Sequence, residues 1–271
     1  MKIVILGAKG MLGHDLNIAF GNFQIYPFGK EDLDIMDKQN VDQIMGKIKP
    51  DFVINAAAYT DVDGAESNFE FACKVNADGI RNLAKSCGKI NSIVVHISTD
   101  YVFDGEKEEG YDENQEPNPV NAYGRSKLLG EKYLKESNCN HYLVRTSWLY
   151  GKNGKNFVDT IIRIANQKDQ IEIVNDQKGC PTYTKDLSLG IKNLLLKKPD
   201  FGTYHLTNDG ACTWFDFASK IMEIRQLKTK LKPIPTSKLN RAAKRPLYSV
   251  LINTKFPKLR HWEEALREYL M

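Results

Sequence analysis

Tyr123 and Lys127 stand four residues apart in Asn121-Ala-Tyr-Gly-Arg-Ser-Lys127. On a helix that spacing puts both side chains on one face. An ammonium beside a phenol favours the phenolate, lowers the tyrosine pKa and gives an acid/base group usable near neutral pH. Upstream, Ser98 and Thr99 close the apolar run Ser92-Ile-Val-Val-His96-Ile97. Alone, such a Ser-Thr pair is a turn cap. At the carboxyl end of a central strand it can instead hold a substrate carbonyl and stabilise charge on its oxygen. Near the start of the chain, Gly7-Ala-Lys-Gly10-Met-Leu-Gly13 follows the apolar run Lys2–Leu6 and opens a helical pattern. Spaced glycines in that context let the backbone turn tightly beside a pyrophosphate, with a helix amino terminus aimed at the anion. A dinucleotide turn and an acid/base tyrosine in one chain point to nicotinamide-dependent carbonyl chemistry.

These groups need a scaffold that brings strand ends together. Short apolar runs at 2–6, 24–28, 50–55, 92–97 and 141–145 alternate with helical patterns at 12–19, 41–48, 68–84 and 123 onwards. Phe71, Val75 and Leu83 read as core contacts of the third helix. That alternation predicts an α/β fold, a doubly wound, Rossmann-like parallel sheet. The rhythm loosens after Gly151. Helices are expected at 156–165, 185–196, 214–224 and 262–270, with strands at 171–174 and 202–206. The expected division is a dinucleotide-binding lobe with the catalytic residues over 1–150, and a smaller, mainly substrate-binding lobe over 151–271. Some segments of the second half are allowed to return to the first.

Composition narrows the function. With 271 residues, 42% hydrophobic, the chain can bury a large core. A net charge of +4 and no dense basic stripe with interleaved aromatics argue against nucleic acid. The five cysteines are scattered without a C-x-x-C pair, which fits a reducing cytoplasm and no metal framework. Neither a leader segment nor a membrane span is expected. Cofactor preference should be set after the second strand, where Phe28-Gly29-Lys30-Glu31 lacks the carboxylate that would hold a ribose 2′-hydroxyl. Lys30 tilts the expectation to NADPH, or to use of both NADPH and NADH, unless it is simply a solvated surface lysine.

The glycine spacing, Ser98-Thr99 and Tyr123-x-x-x-Lys127 together resemble the extended short-chain dehydrogenase/reductases. Longer stretches narrow the likeness: Asn55-Ala-Ala-Ala-Tyr59-Thr60-Asp-Val-Asp63 with Ala65-Glu66, Ser98-Thr-Asp-Tyr-Val-Phe103, Arg145-Thr-Ser-Trp148-Leu-Tyr-Gly151, Asn175-Asp-Gln177-x-Gly179-x-Pro181-Thr182 and Arg245-Pro246. In order, from the first strand to Asn253, these are similar to the dTDP-4-dehydrorhamnose reductase family. The resemblance implies a catalytic triad of Thr99, Tyr123 and Lys127 acting on a dTDP-linked 4-keto-6-deoxy sugar. Tyr123 would protonate the 4-keto oxygen, Thr99 would hold it, and Lys127 would bind the nicotinamide ribose. Gly10, Met11 and Leu12 would lie along the pyrophosphate, Asp34 and Ile35 beside the adenine, and Ala58, Tyr59 and Thr60 along the cofactor. Asp100 and Trp148 would touch the sugar nucleotide. Asn76 would be structural or part of a proton relay. Dehydratases of the superfamily carry Thr-Asp-Glu where this chain has Thr99-Asp100-Tyr101, which favours plain ketone reduction. Relatives described as magnesium-bridged homodimers need a carboxylate where Lys185 stands, so a homodimer is open and a metal is not expected. A rival resemblance is to the non-catalytic regulatory subunit of methionine adenosyltransferase, which would have no use for Thr99, Tyr123 and Lys127.

Other residues carry blander readings. His96 reads as a packed core histidine rather than a base. Trp214, Phe215 and Phe217 read as the start of a core helix. Trp148 is open between core and cleft. The loop from Glu106 to Glu116 reads as a solvated excursion or a flap over the substrate. Arg245 is a candidate for gripping the diphosphate, because its fork suits phosphate.

Overall fold

The computed structural model describes residues 1–271. In chain order the first half holds β1 (Lys2–Leu6), α1 (Met11–Ala19), β2 (Gln24–Phe28), α2 (Lys38–Ile48), β3 (Phe52–Asn55), α3 (Gly64–Ser67), α4 (Phe69–Cys73), α5 (Gly79–Lys89), β4 (Ile93–Thr99), α6 (Ala122–Lys135) and β5 (His141–Thr146). The second half holds β6 (Leu149–Tyr150), α7 (Phe157–Ala165), β7 (Gln170–Val174), β8 (Lys178–Gly179), β9 (Thr182–Tyr183), α8 (Thr184–Lys197), β10 (Gly202–His205), β11 (Cys212–Thr213), α9 (Trp214–Ile224), β12 (Lys230–Ile234) and α10 (Trp262–Leu270). No helix is long and apolar enough to cross a membrane.

Six strands form one parallel sheet in the order β10-β5-β4-β3-β1-β2. The central strands are apolar on both faces because both are covered. Leu12 and Leu16 of α1 and Leu187, Ile191 and Leu194 of α8 bury one face. Val41 and Met45 of α2, Ile80 and Leu83 of α5 and Leu134 of α6 bury the other. Strand order reverses across β1, which has β2 on one side and β3 on the other. The carboxyl ends of β1 and β3 therefore flank a crevice of the kind where open sheets bind ligands. The doubly wound expectation holds.

The chain crosses between lobes more than once. Helix α8 packs on α1, and β10 completes the sheet edge beside β5. A separate core joins α7, α9 and α10 around Tyr150, Ile161, Phe217, Ile221 and Leu266. The β7/β12 pair lies against it.

Two local expectations are corrected, and one pairing is new. The helix expected over 68–84 is broken into α4, a π-helical turn at Lys74–Asp78, and α5. The wide turn aims Asn76 inward, and Phe71 is exposed rather than core. The tail around Lys232-Pro-Ile-Pro235 forms β12, which pairs in parallel with β7. Its proline is tolerated because the two-stranded pair is all edge. The loop after β4 is more than a solvated excursion. Tyr111 and Glu113 are buried, and the Glu113 carboxylate accepts from the Thr254 hydroxyl at 2.6 Å and from the backbone N–H of His205 at 3.3 Å.

Candidate active site

The β1–α1 turn is set by backbone geometry. Gly7 has φ +73°, in the left-handed region, and a Cβ there would also lie 2.8 Å from the Ala56 backbone. A Cβ on Gly13 would lie 2.1 Å from the Gly7 carbonyl oxygen. Only glycine lets α1 pack this closely over the turn. Helix α1 starts without a side-chain cap. Its first-turn N–H groups and dipole are thus available to an anion.

This turn forms one wall of a cavity of about 830 Å³. Gly7, Gly10, Met11, Leu12, Gly13, Lys30, Asp34, Ile35, Ala58, Tyr59, Thr60, Thr99, Tyr123 and Lys127 all line it. Residues read from five separate stretches of sequence therefore meet around one space. Asn76 explains part of the far wall. Its carboxamide accepts from Tyr59 N–H at 2.8 Å and donates to the Tyr59 carbonyl at 3.0 Å and to Ser126 Oγ at 2.9 Å. It is a buried clamp between the β3 loop and α6.

Helix α6 carries Tyr123 and Lys127, the pair expected to be catalytic. Asn121 caps it, accepting from Gly124 N–H at 2.7 Å. Lower down, Glu131 accepts from Ser98 Oγ at 2.6 Å and from Arg145 Nε at 3.0 Å and Nη2 at 2.6 Å. That fully buried network ties α6 to β4 and β5, and so fixes Tyr123 over the sheet end. Lys127 is buried, with Nζ donating to the Ile97 carbonyl at 2.7 Å. Burial lowers its pKa to about 8.

The phenol behaves differently from the sequence reading. Burial pushes the Tyr123 pKa up, and the nearby Asp100 carboxylate adds to the rise, while the Thr99 hydroxyl opposes it. Lys127 does not offset this; its ammonium donates to the Ile97 carbonyl and makes no hydrogen bond to the phenol. The expectation that Lys127 lowers the tyrosine is therefore corrected. A phenol held protonated is the form that donates a proton. Asp100 is itself buried, with its pKa raised to about 6 by desolvation. Thr99 Oγ1 donates to Asp100 Oδ1 at 2.9 Å, which fixes the hydroxyl at the strand end.

A second cavity of about 320 Å³ lies in the other lobe, lined by Tyr101, Gln177, Trp214, Arg241 and Arg245 among others. Tyr101 joins the two spaces, because its ring meets Tyr123 edge-on at 5.9 Å between centroids. Trp148 lies on Trp214 in a parallel stack at 3.5 Å, and Trp214 Nε1 donates to Gln177 at 3.2 Å. Trp214 is thus a cavity wall, which corrects its reading as a core residue; Phe217 is buried as expected. Arg245 also departs from expectation. Its guanidinium pairs with both oxygens of Asp63, donating to Oδ2 at 2.7 Å, and donates to the Ala243 carbonyl at 2.7 Å. Most of its donors are committed within the chain, so it clasps the C-terminal segment to the β3 loop rather than standing free for a diphosphate. Asp63 answers with a pKa lowered to about 2, chiefly by that contact. Lys185 pairs with Glu268.

The match to the RmlD substrate-binding-domain model runs over residues 1–271. The chain belongs to that family. It is 38% identical to the spore coat polysaccharide biosynthesis protein SpsK of Bacillus subtilis, over 99% of this chain and 96% of the relative. It is 35% identical to the dTDP-4-dehydrorhamnose reductase of Escherichia coli, over 100% of this chain and 97% of that enzyme. The crystal structure of the dTDP-4-dehydrorhamnose reductase of Bacillus anthracis, in complex with NADP, superposes with a TM-score of 0.96 at 42% identity, covering 99% of this chain and 98% of that one. Membership of the RmlD family agrees with the fold and with the single cavity that gathers the glycine turn and the tyrosine.

Two cations of this family member escaped the sequence reading. Lys9 lies within the glycine turn, and its Nζ pairs with Glu31 at 3.2 Å and Asp32 at 3.6 Å beside the exposed Lys30. Lys155, on the β6–α7 loop, closes the cavity from the second lobe. Lys9 occupies a variable position of the G-x-x-G pattern, so the pattern gave it no weight. Its place three residues after β1, inside the glycine turn, was the available signal. Lys155 had none, since only the fold brings that loop to the sheet.

Proposed function

We propose that this protein reduces the C4 ketone of dTDP-4-dehydrorhamnose to give dTDP-L-rhamnose, using NADPH. One observation carries the reading: Tyr123 lines the large cavity and touches Tyr101, which lines the second, so the acid/base phenol stands where two binding spaces meet. The large cavity fits a phosphorylated dinucleotide. The uncapped start of α1 suits a pyrophosphate, and Lys30 after β2, with Lys9 of the β1–α1 turn beside it, suits a 2′-phosphate.

NADPH bound there would supply a hydride. Tyr123 would give its proton to the ketone oxygen, and the Thr99 hydroxyl would turn from Asp100 to donate to that same oxygen. Lys127, held by the Ile97 carbonyl at 2.7 Å, would turn its remaining N–H groups to the cavity and hold the ribose. Trp214, stacked on Trp148, would present an aromatic wall to the sugar nucleotide in the second cavity. Tyr101, in the place of a dehydratase carboxylate, has its pKa raised to about 12 by burial. It stays neutral and offers no base for water elimination. The regulatory-subunit reading does not account for a buried phenol, lysine and threonine kept together on a cofactor-sized cavity. The test is oxidation of NADPH that depends on added dTDP-4-dehydrorhamnose. Oxidation only with a different nucleotide-linked 4-keto sugar would keep the chemistry and replace the substrate.

A further inference from the structure

The lysine of the catalytic pair has a neighbour that the mechanism above leaves unused. His96, on β4, is buried, and its Nε2 lies 3.4 Å from Lys127 Nζ. Its other ring nitrogen, Nδ1, lies 3.1 Å from Asn55 Nδ2 at the end of β3. The orientation of Asn55 is fixed independently, because its Oδ1 accepts from Ala57 N–H at 3.2 Å. The carboxamide must therefore turn its NH₂ group to the imidazole, and Nδ1 must accept. A neutral imidazole with an accepting Nδ1 carries its proton on Nε2. That N–H faces the lysine.

We propose that His96 is a positioning residue for Lys127: locked by Asn55 as the Nε2-protonated neutral imidazole, it presents a donor to the amine and so makes Lys127 the group that ends activity at alkaline pH. An ammonium opposite an N–H gains nothing from it. A neutral amine can accept from it with its lone pair while still donating to the Ile97 carbonyl. The lock thus favours release of the lysine proton to the open cavity.

The other groups around the lysine are few. Tyr123 and Glu131 lie on its own helix, and Glu131 favours the ammonium while being bound to Arg145 of β5. From β4 it meets His96 and the Ile97 carbonyl. From β3 comes only the neutral Asn55, acting through the ring. His141 of β5 adds a small repulsion at His96. Burial and the lysine charge hold His96 neutral well below its ordinary range. Burial lowers the lysine pKa to about 8 and pushes the phenol up, so of the two the lysine loses its proton first as pH rises.

This inference rests on the reductase reading for its rate test and not for its spectroscopic one. The ¹⁵N shifts of the His96 ring in the wild-type protein should show an unprotonated Nδ1 and a protonated Nε2 from pH 6 to 9. An Nδ1-protonated ring, or an imidazolium, overturns the proposal. In Asn55→Asp, a carboxylate in place of the NH₂ group takes the Nδ1 proton and leaves Nε2 as an acceptor for the ammonium. The alkaline limb of kcat/KM should then move up by about one pH unit or more, with the ring signature reversed. An unmoved limb overturns the proposal. So does a moved limb with an unchanged ring, since charge alone would then explain it. Wild-type protein that turns over no substrate at any pH would sink the reductase reading, while the ring signature would still decide this one.

Discussion

The two cavities are built by different means. The larger is made of strand ends and the first turns of helices, held by backbone geometry and buried hydrogen bonds: Gly7, Gly13, the Asn76 clamp and the Glu131–Arg145 network. The smaller is made of side chains from distant parts of the chain. Trp148 stacks on Trp214, and Arg245 reaches Asp63 across the molecule. Backbone-built sites tolerate few changes in shape, whereas side-chain-built sites can be retuned one residue at a time. The difference suits a cavity for a common cofactor beside one for a particular sugar nucleotide.

If the division is real, substitutions in each cavity should affect one ligand and spare the other. The largest effect should come from the residue at their meeting point. Tyr123→Phe should lower kcat by roughly 10²–10⁴-fold and leave the Kd for NADPH nearly unchanged, as read by fluorescence titration. Next, Trp214→Ala should raise KM for the sugar nucleotide by about tenfold, through loss of the stacked wall, again with cofactor affinity intact. An equal loss of NADPH binding would break the comparison.

Arg245→Ala and Asp63→Ala should each weaken sugar-nucleotide binding by loosening the same segment, by about 1 kcal/mol, and the double variant should add little to either. Asp63 is part-exposed, which limits that figure. The sign with pH follows from its depressed pKa. The clasp is fully present above the ordinary aspartate range near 4 and is lost as pH falls toward about 2. Neutral-pH assays should show no titration from it. The smallest effect is expected from Lys30→Ala, which should reduce preference for NADPH over NADH only a few-fold, because Lys30 is exposed and Lys9 remains.

The same contrast explains what was legible in the sequence. The parallel sheet could be read because its buried strands are continuous apolar runs. The glycine turn and Tyr123/Lys127 could be read because each is a local pattern in which short spacing dictates shared geometry. The break in the 68–84 helix was hidden, since a π-helical turn leaves no mark in apolar spacing. The β7/β12 pairing was hidden because it joins segments some sixty residues apart, one of them carrying Pro233. Trp214 looked like a core residue because an aromatic at a helix start serves either role; only Trp148 and the cavity beside it decide. Arg245 was read as a phosphate-gripping candidate from its side-chain type alone; its partner Asp63 lies far off in sequence, so the pairing that occupies its guanidinium could not be read. The phenol pKa was misjudged for a related reason. Spacing on a helix shows that two residues share a face, but burial decides which neighbour dominates.

The most direct test follows the hydride. With NADPH deuterated at the transferring position of C4 and dTDP-4-dehydrorhamnose, the account predicts dTDP-L-rhamnose carrying deuterium at C4 of the sugar, formed by wild-type protein and nearly absent with Tyr123→Phe. Full-rate formation of the labelled product by Tyr123→Phe would contradict the role of the phenol, and deuterium retained on the nicotinamide would contradict the reductase itself.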